Sequence, residues 1–362
     1  MTSERGPDGS FYGAGAFAAQ CERLFPRAWL VAPEQAESLA PQHVLPATLL
    51  PGALDEPIVF ARDAAGALHC MSNVCTHRGK VLCDEAGRAT ALRCTYHGRS
   101  FAMDGRCQHG PGFEAVPGFP TPADHLARIG TGTLGTLRFV NLLGGVPFAE
   151  WVEPVLRHAS HLVAALPTTA THTHAYEFDA NWALYVDNYL EGLHVPFLHG
   201  GLTDTIDVRD YRYEMHPHGT LQVGIARPGE PALDLPAGHA LAGQRVAALW
   251  FWLFPGTMLN FYPWGLSVNS VEPLGPSRTR VRYLAFVARP GLRTSGAGGD
   301  LDRVEREDQA AVLSVQRGVR SRLYRGGAYA PVHEAGTRWF HERVQAALGR
   351  GPEGRAPDGQ AR

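Results

Sequence analysis

Between about His43 and Leu143, apolar and polar residues alternate in short runs that end at Gly, Pro or Asp: Glu56 to Arg62, Ala67 to Asn73, Thr90 to Cys94, Ser100 to Met103 and Gly135 to Leu143. A period of two with turn residues at the ends predicts strands, hence a small all-β unit. From Trp151 to Ala165 the spacing becomes helical, and Pro167 with the polar run Thr168 to His174 marks a junction. Beyond it the pattern predicts a helical region from about Asn181 and strands at Asp210 to His216 and Leu221 to Ala226. Longer apolar strands follow at Ala247 to Phe254, Met258 to Tyr262, Leu266 to Pro273 and Thr279 to Arg289, then a helix from about Asp302 to Tyr324. Arg293 to Gly299 reads as a flexible loop and Gly349 to Arg362 as a disordered tail. The chain is therefore expected to be α+β, divided at 1–42, 43–148, 149–348 and 349–362.

Composition narrows this picture. The 362 residues are 44% hydrophobic and 19% charged with a formal charge of −2, so nothing favours a nucleic-acid or anionic-membrane surface. The 41 Gly and 27 Pro imply many turns and argue against a helix bundle. The longest apolar run, Val246 to Phe254, is too short to span a bilayer. The segment Met1 to Ser10 is polar and mixed in charge, so the six cysteines do not read as a secreted disulfide frame; a cytoplasmic location is expected.

Two short runs carry the strongest chemical signal, Cys75-Thr-His77-Arg-Gly79 and Cys94-Thr-Tyr-His97-Gly98, with sixteen residues between His77 and Cys94. Each loop supplies one thiol and one imidazole. A structural zinc site usually keeps like ligands on one knuckle. A [2Fe–2S] cluster with two Cys on one iron and two His on the other fits the mixed set directly, and neutral imidazoles raise its potential above that of an all-Cys cluster. A zinc ribbon is the alternative.

A second constellation lies in Asn181 to His199. On a continuous helix Asp187, Glu191 and His194 would share one face; Pro196 is expected to end the helix just after His194 and let His199 fold back beside it. In the C-terminal helix the apolar stripe is read as Val304, Ala311, Val312, Val315 and Val319, with Asp308 completing it while Asp302, Glu305 and Glu307 fall elsewhere. A carboxylate on a buried face needs a cation or a hydrogen-bond partner. His194, His199 and Asp308 form a candidate 2-His-1-carboxylate set, which leaves positions open on Fe(II). Of the aromatics Trp250, Phe251, Trp252, Phe254, Phe261, Tyr262 and Trp264, strand geometry lets about half face one side, with core packing as their main role.

The spacing Cys-x-His, sixteen residues, Cys-x-x-His resembles the Rieske domain over roughly residues 43 to 145. Lys80 and Tyr96 occupy the positions where respiratory-chain Rieske proteins carry a disulfide, so the resemblance is to the lower-potential domains of oxygenases. Asn188-Tyr-Leu-Glu191-x-x-His194-x4-His199, Trp252-Leu-Phe-Pro, Asn260-Phe-Tyr-Pro-Trp264-Gly and Glu307-Asp308 with Gln316-Arg-Gly318 resemble the catalytic subunit of Rieske non-haem iron oxygenases, in the choline- and carnitine-monooxygenase branch. The resemblance implies a START-like helix-grip catalytic domain, packed with the N-terminal segment, and a homotrimer in which one subunit's cluster serves the neighbour's iron. It also makes Glu191 the carboxylate joining His194 to the second subunit's His97, with Asp187 and Asn188 as supporting groups. The implied activity is hydroxylation or oxidative demethylation of a small organic substrate, using O2 and electrons from NAD(P)H. No GxGxxG fingerprint is present, so those electrons are expected through a separate flavin/iron-sulfur reductase or a ferredoxin. Dihydroxylation of an aromatic ring is the alternative within the class; an electron-transfer Rieske protein or a non-catalytic ligand binder are alternatives outside it.

Overall fold

The computed structural model describes residues 5–349, in two compact units: Trp29–Gly145, and a larger one combining the N-terminal residues through Ala28 with the chain from Val146 onward. The division falls at Ala28, not at residue 42, because Leu30–Val31 pairs with Leu137–Asn141 and so ties the following segment into the smaller unit. The predicted tail, 349–362, lies almost wholly outside the described residues.

The smaller unit is all-β, with a four-stranded antiparallel sheet ordered Leu68–Ser72, Glu56–Arg62, His43–Leu49, Gly87–Arg88, and two three-stranded sheets beside it. Glu56–Arg62 is apolar on both faces. Ile58 and Phe60 join Leu49, Cys70 and Val140 in one core, while Val59 and Ala61 join Met71, Phe101, Cys75 and Cys94 in another. Strand alternation thus sends the two cysteines' neighbours to a single side of the sheet.

The larger unit is built on a seven-stranded antiparallel sheet, β1 His172–Phe178, β2 Arg212–His216, β3 Gly219–Ile225, β4 Val246–Leu253, β5 Thr257–Tyr262, β6 Gly265–Gly275 and β7 Arg278–Val287, in the order β1-β7-β6-β5-β4-β3-β2. Its helices are α1 Ala14–Arg23, α2 Glu153–Ala164, α3 Trp182–Tyr189, α4 Leu301–Val319 and α5 Ala335–Ala347, with shorter turns between. No described helix is long and apolar enough to cross a membrane. Strand β1 occupies part of the run read as a junction, held by full-length pairing with β7. Helices α1 and α5 lie outside the elements that the hydrophobic pattern predicts. They meet α3 through Gln20, whose Oε1 accepts from Trp182 Nε1 at 2.9 Å, and through Phe340, edge-on to Trp182.

Two readings of helix faces are corrected. Helix α3 stops at Tyr189, so Asp187, Glu191 and His194 do not share one helix face; Pro196 instead sits in the first turn of a new short helix, Val195–Leu198, where its missing N–H costs nothing. On α4 the buried positions are Val312, Gln316 and Val319, while Val315 is 48% exposed. Gln316 occupies the stripe because its Oε1 accepts the Asn181 N–H at 2.6 Å, which offsets burial and fixes the start of α3. The supposed flexible loop at Arg293 to Gly299 is also packed: Ala297 and Gly298 are buried, and Gly298 O accepts from Trp264 Nε1.

Candidate functional site

In the smaller unit the two Cys/His loops fold alike. Cys75 N–H donates to Lys80 O and Gly79 N–H to Cys75 O; Cys94 N–H donates to Arg99 O and Gly98 N–H to Cys94 O. Gly79 and Gly98 stand at matching positive φ, 75° and 74°, where a side chain would be strained. Both thiols are buried, at 3% and 2% exposure, and none of the six cysteines forms a disulfide. The His77 N–H points at the Cys75 sulfur, and those of Tyr96 and His97 at the Cys94 sulfur. The His77 and His97 rings lie 4.7 Å apart, and His77 Nδ1 is buried without a hydrogen-bond partner. Two thiols, two imidazoles and an orphaned ring nitrogen make a donor set that fits a [2Fe–2S] cluster. Arg99, which the sequence reading passed over, ties the loops together: its guanidinium reaches Thr76 Oγ1 at 3.0 Å and Asp124 at 3.2 Å and lies over Phe113 and Phe119.

In the larger unit His194, His199 and Asp308 converge, with one nitrogen or oxygen from each inside a 4.8 Å group. Glu191 Oε1 accepts from His194 Nδ1 at 2.6 Å, and its other oxygen accepts the backbone N–H of Leu193 and His194. Glu307, placed off the buried face by the sequence reading, does the same for His199 Nδ1 at 2.8 Å. A carboxylate only accepts, so each Nδ1 carries the proton and each Nε2 lone pair is turned inward. There Asp308 Oδ1 lies 3.7 Å from His194 Nε2 and 3.0 Å from His199 Nε2, and Asn188 Nδ2 donates to the same oxygen at 2.7 Å. Burial alone would lower the His199 pKa, but Asp308 and Glu307 outweigh it and hold the ring above the usual histidine range. A divalent cation seated between the two Nε2 atoms and the Asp308 oxygen satisfies the same three atoms. Asp187 lies apart from this group, bonded to Tyr12 Oη at 2.7 Å and paired with His341 Nε2 at 2.9 Å.

The three donors open on a cleft lined by Tyr185, Tyr189, Tyr211, Trp250, Tyr262 and Glu305, among others. Trp250 and Tyr262 face it from adjacent strands, joined by a 3.0 Å bond from Trp250 Nε1 to Tyr262 Oη, whereas Phe251 and Trp252 are in the core. Burial keeps the Tyr185, Tyr189 and Tyr211 phenols protonated well past neutral pH. Glu305, another carboxylate the stripe reading set aside, receives Tyr185 Oη at 2.6 Å, Tyr283 Oη at 2.5 Å and Asn269 Nδ2 at 3.2 Å. Burial and the nearby Asp308 push its pKa up to about 7. Its position one turn before Asp308 was the available signal for it.

Residues 168–350 match the family described as the ring-hydroxylating alpha subunit catalytic domain, and residues 38–120 match the Rieske [2Fe-2S] domain. The carnitine monooxygenase oxygenase subunit of Escherichia coli K12 is 30% identical over 321 residues, covering 86% of this chain and 83% of that one. The chain belongs to the Rieske ring-hydroxylating oxygenase alpha-subunit family. Choline monooxygenase of Arabidopsis thaliana is 27% identical over 77% of this chain and 69% of its own. A solved quaternary ammonium Rieske monooxygenase, studied for carnitine oxidation and inter-subunit electron transfer, is 25% identical with TM-score 0.71 over 95% of both chains. Rhodococcus naphthalene 1,2-dioxygenase shares the fold at TM-score 0.68, with 18% identity over 95% of both chains. As a Rieske oxygenase the protein is an oxidoreductase that incorporates molecular oxygen, and its cofactors are a Rieske [2Fe–2S] cluster and a mononuclear iron.

Proposed function

We propose that this chain is the terminal oxygenase for a small cationic N-methyl substrate, taking electrons from NAD(P)H through a separate reductase or ferredoxin. The balance is R–CH3 + O2 + NAD(P)H + H⁺ giving R–CH2OH, H2O and NAD(P)⁺; an N-bound hydroxymethyl group then releases formaldehyde and the demethylated amine. The observation that carries the substrate reading is Glu305, a carboxylate facing an aromatic-lined cleft with no cationic side chain paired to it among the described residues. Tyrosine and tryptophan faces attract ammonium cations, and a carboxylate adds the counter-charge.

Cys75 and Cys94 would hold one iron of the cluster and His77 and His97 the other. His194, His199 and Asp308 would hold the mononuclear iron, which supplies O2 activation when bound. Glu191 and Glu307 keep both Nε2 lone pairs presented, Asn188 fixes the Asp308 carboxylate, and the buried phenols exclude water without ionising. In a homotrimer, Glu191 would also accept from a second subunit's His97 and so couple the cluster of one copy to the iron of another; Asp187 holds α3 against α5.

Coupled O2 and NADH consumption with a surrogate reductase tests the substrate class across choline, glycine betaine, carnitine, benzoates and simple arenes. Turnover of a quaternary amine with stoichiometric formaldehyde or hydroxylated product is expected. Oxidation of arenes with no activity on any amine would overturn the assignment to cationic substrates and leave ring dihydroxylation.

A further inference from the structure

A second His/His/carboxylate group stands apart from the iron ligands. It comprises His158 from the buried face of α2 and Glu214 with His216 from β2. Glu214 and His216 are two apart on the strand and so point to one side of the sheet, whereas Tyr213, the residue before Glu214, points to the other, where its hydroxyl accepts the Gly192 N–H at 2.7 Å. The cluster is therefore on the sheet face opposite the segment that carries Glu191 and His194.

Its geometry is poor for hydrogen bonding and good for coordination. His158 Nε2 lies 3.5 Å and His216 Nε2 3.9 Å from the same Glu214 Oε2, and all three donor atoms fall within 4.8 Å of one another. Ligands bound at about 2.0–2.1 Å around a tetrahedral ion sit roughly 3.3 Å apart, so a small contraction onto a central ion completes the set. Both imidazoles are more than nine-tenths buried, at 6% and 8% exposure, and both Nε2 atoms lack any hydrogen-bond partner. Buried polar atoms are rarely left so. Burial is also the largest influence on both rings and keeps them below the usual histidine range, in the neutral form a metal requires. The neighbouring His239 is committed elsewhere, with Nε2 donating to His158 O and Nδ1 accepting the Leu241 N–H. Glu214 is the partly exposed member, at 39%, and gives an ion and a fourth, water ligand access from solvent.

We propose that His158, Glu214 and His216 form a structural zinc site that clamps the sheet-edge strand β2 to helix α2. Two imidazoles and one carboxylate suit Zn²⁺, which such a set binds more tightly than Fe²⁺. The role is a crosslink: among the described residues β2 pairs in the sheet only with β3, and the ion adds an anchor from its face to α2.

Elemental analysis of the full-length holoenzyme, after dialysis against a weak chelator, tests this. About one zinc per chain is expected beside the iron of the other two sites, falling below about a tenth in Glu214→Gln and His216→Gln while iron content and the cluster spectrum stay unchanged. Co²⁺ added to zinc-depleted wild type should give the visible bands of a tetrahedral ion, and zinc should abolish them. Zinc that persists in both variants belongs to another site, and a wild type retaining no zinc and giving no Co²⁺ bands has no site; either result overturns the proposal. Should His216→Gln not fold, the exposed Glu214→Gln variant and the wild-type Co²⁺ titration still decide it.

Discussion

Glu305 and Glu191 are both carboxylates of the cleft, yet their surroundings assign them opposite tasks. Glu191 is spent on the His194 ring and the backbone of its own turn. Glu305 receives only neutral donors, so its charge, present once pH exceeds about 7, is available to a ligand. Glu305→Gln should raise KM for a trimethylammonium substrate about tenfold, near 1.4 kcal/mol, with a smaller change in kcat; equal effects on a neutral analogue would contradict the anchoring role. The raised Glu305 pKa also has a stability consequence. The folded protein holds this proton up to about pH 7 while the unfolded chain releases it near the ordinary 4.5, so the contribution is full below 4.5 and is lost as pH rises through 7. Denaturant midpoints of the metal-free protein should fall over that window, and fall less in Glu305→Gln. Glu191→Gln should keep both metals while substrate-coupled turnover falls at least about a hundredfold; retention of full turnover would remove its coupling role.

At the scale of elements, the twin Cys/His loops offer a controlled comparison. An alanine Cβ at Gly98 would sit 3.1 Å from Pro111 Cγ, whereas one at Gly79 meets nothing within 4 Å, and the two φ angles match. Both substitutions carry the cost of a left-handed residue, about 1–2 kcal/mol. Gly98→Ala adds crowding and should lower the melting temperature and cluster retention more than Gly79→Ala; equal losses would show that the Pro111 contact is unimportant. The same loops explain why the cluster site was legible in sequence: all four donors lie in two short turns whose spacing is local. The iron group was legible through His194, His199 and Asp308, with Glu191 and Asn188 named beside them, but Glu307 and Glu305 were not. Glu307 and Glu305 were discarded because an apolar-stripe argument assigns buried helix positions to valine, and here Gln316 and Glu305 occupy that face with polar partners while Val315 is outside. The break after Tyr189 was missed because Pro196 was read as a terminator when it opens a turn. Strand β1 and helices α1 and α5 were missed because pairing and packing with distant segments hold them, and local periodicity does not record that.

For the molecule as a whole, each unit carries one kind of metal chemistry and neither is sufficient alone. A cluster passes single electrons, while hydroxylation consumes two together with O2, so the iron must be served more than once per turnover. The proposed trimer, linked through Glu191 and the neighbour's His97, would supply that route, and light scattering should return three times the 39.2 kDa chain mass. In the proposed function His194, His199 and Asp308 hold the iron where oxygen is inserted, separately from the cluster. The most direct measurement of that is iron content with the reduced-state paramagnetic spectrum, taken on wild type and Asp308→Ala. About three irons per chain, falling to about two in the variant with an unchanged cluster signal and no product, are expected; three irons retained with product formed, or a cluster signal lost along with the iron, would contradict this assignment.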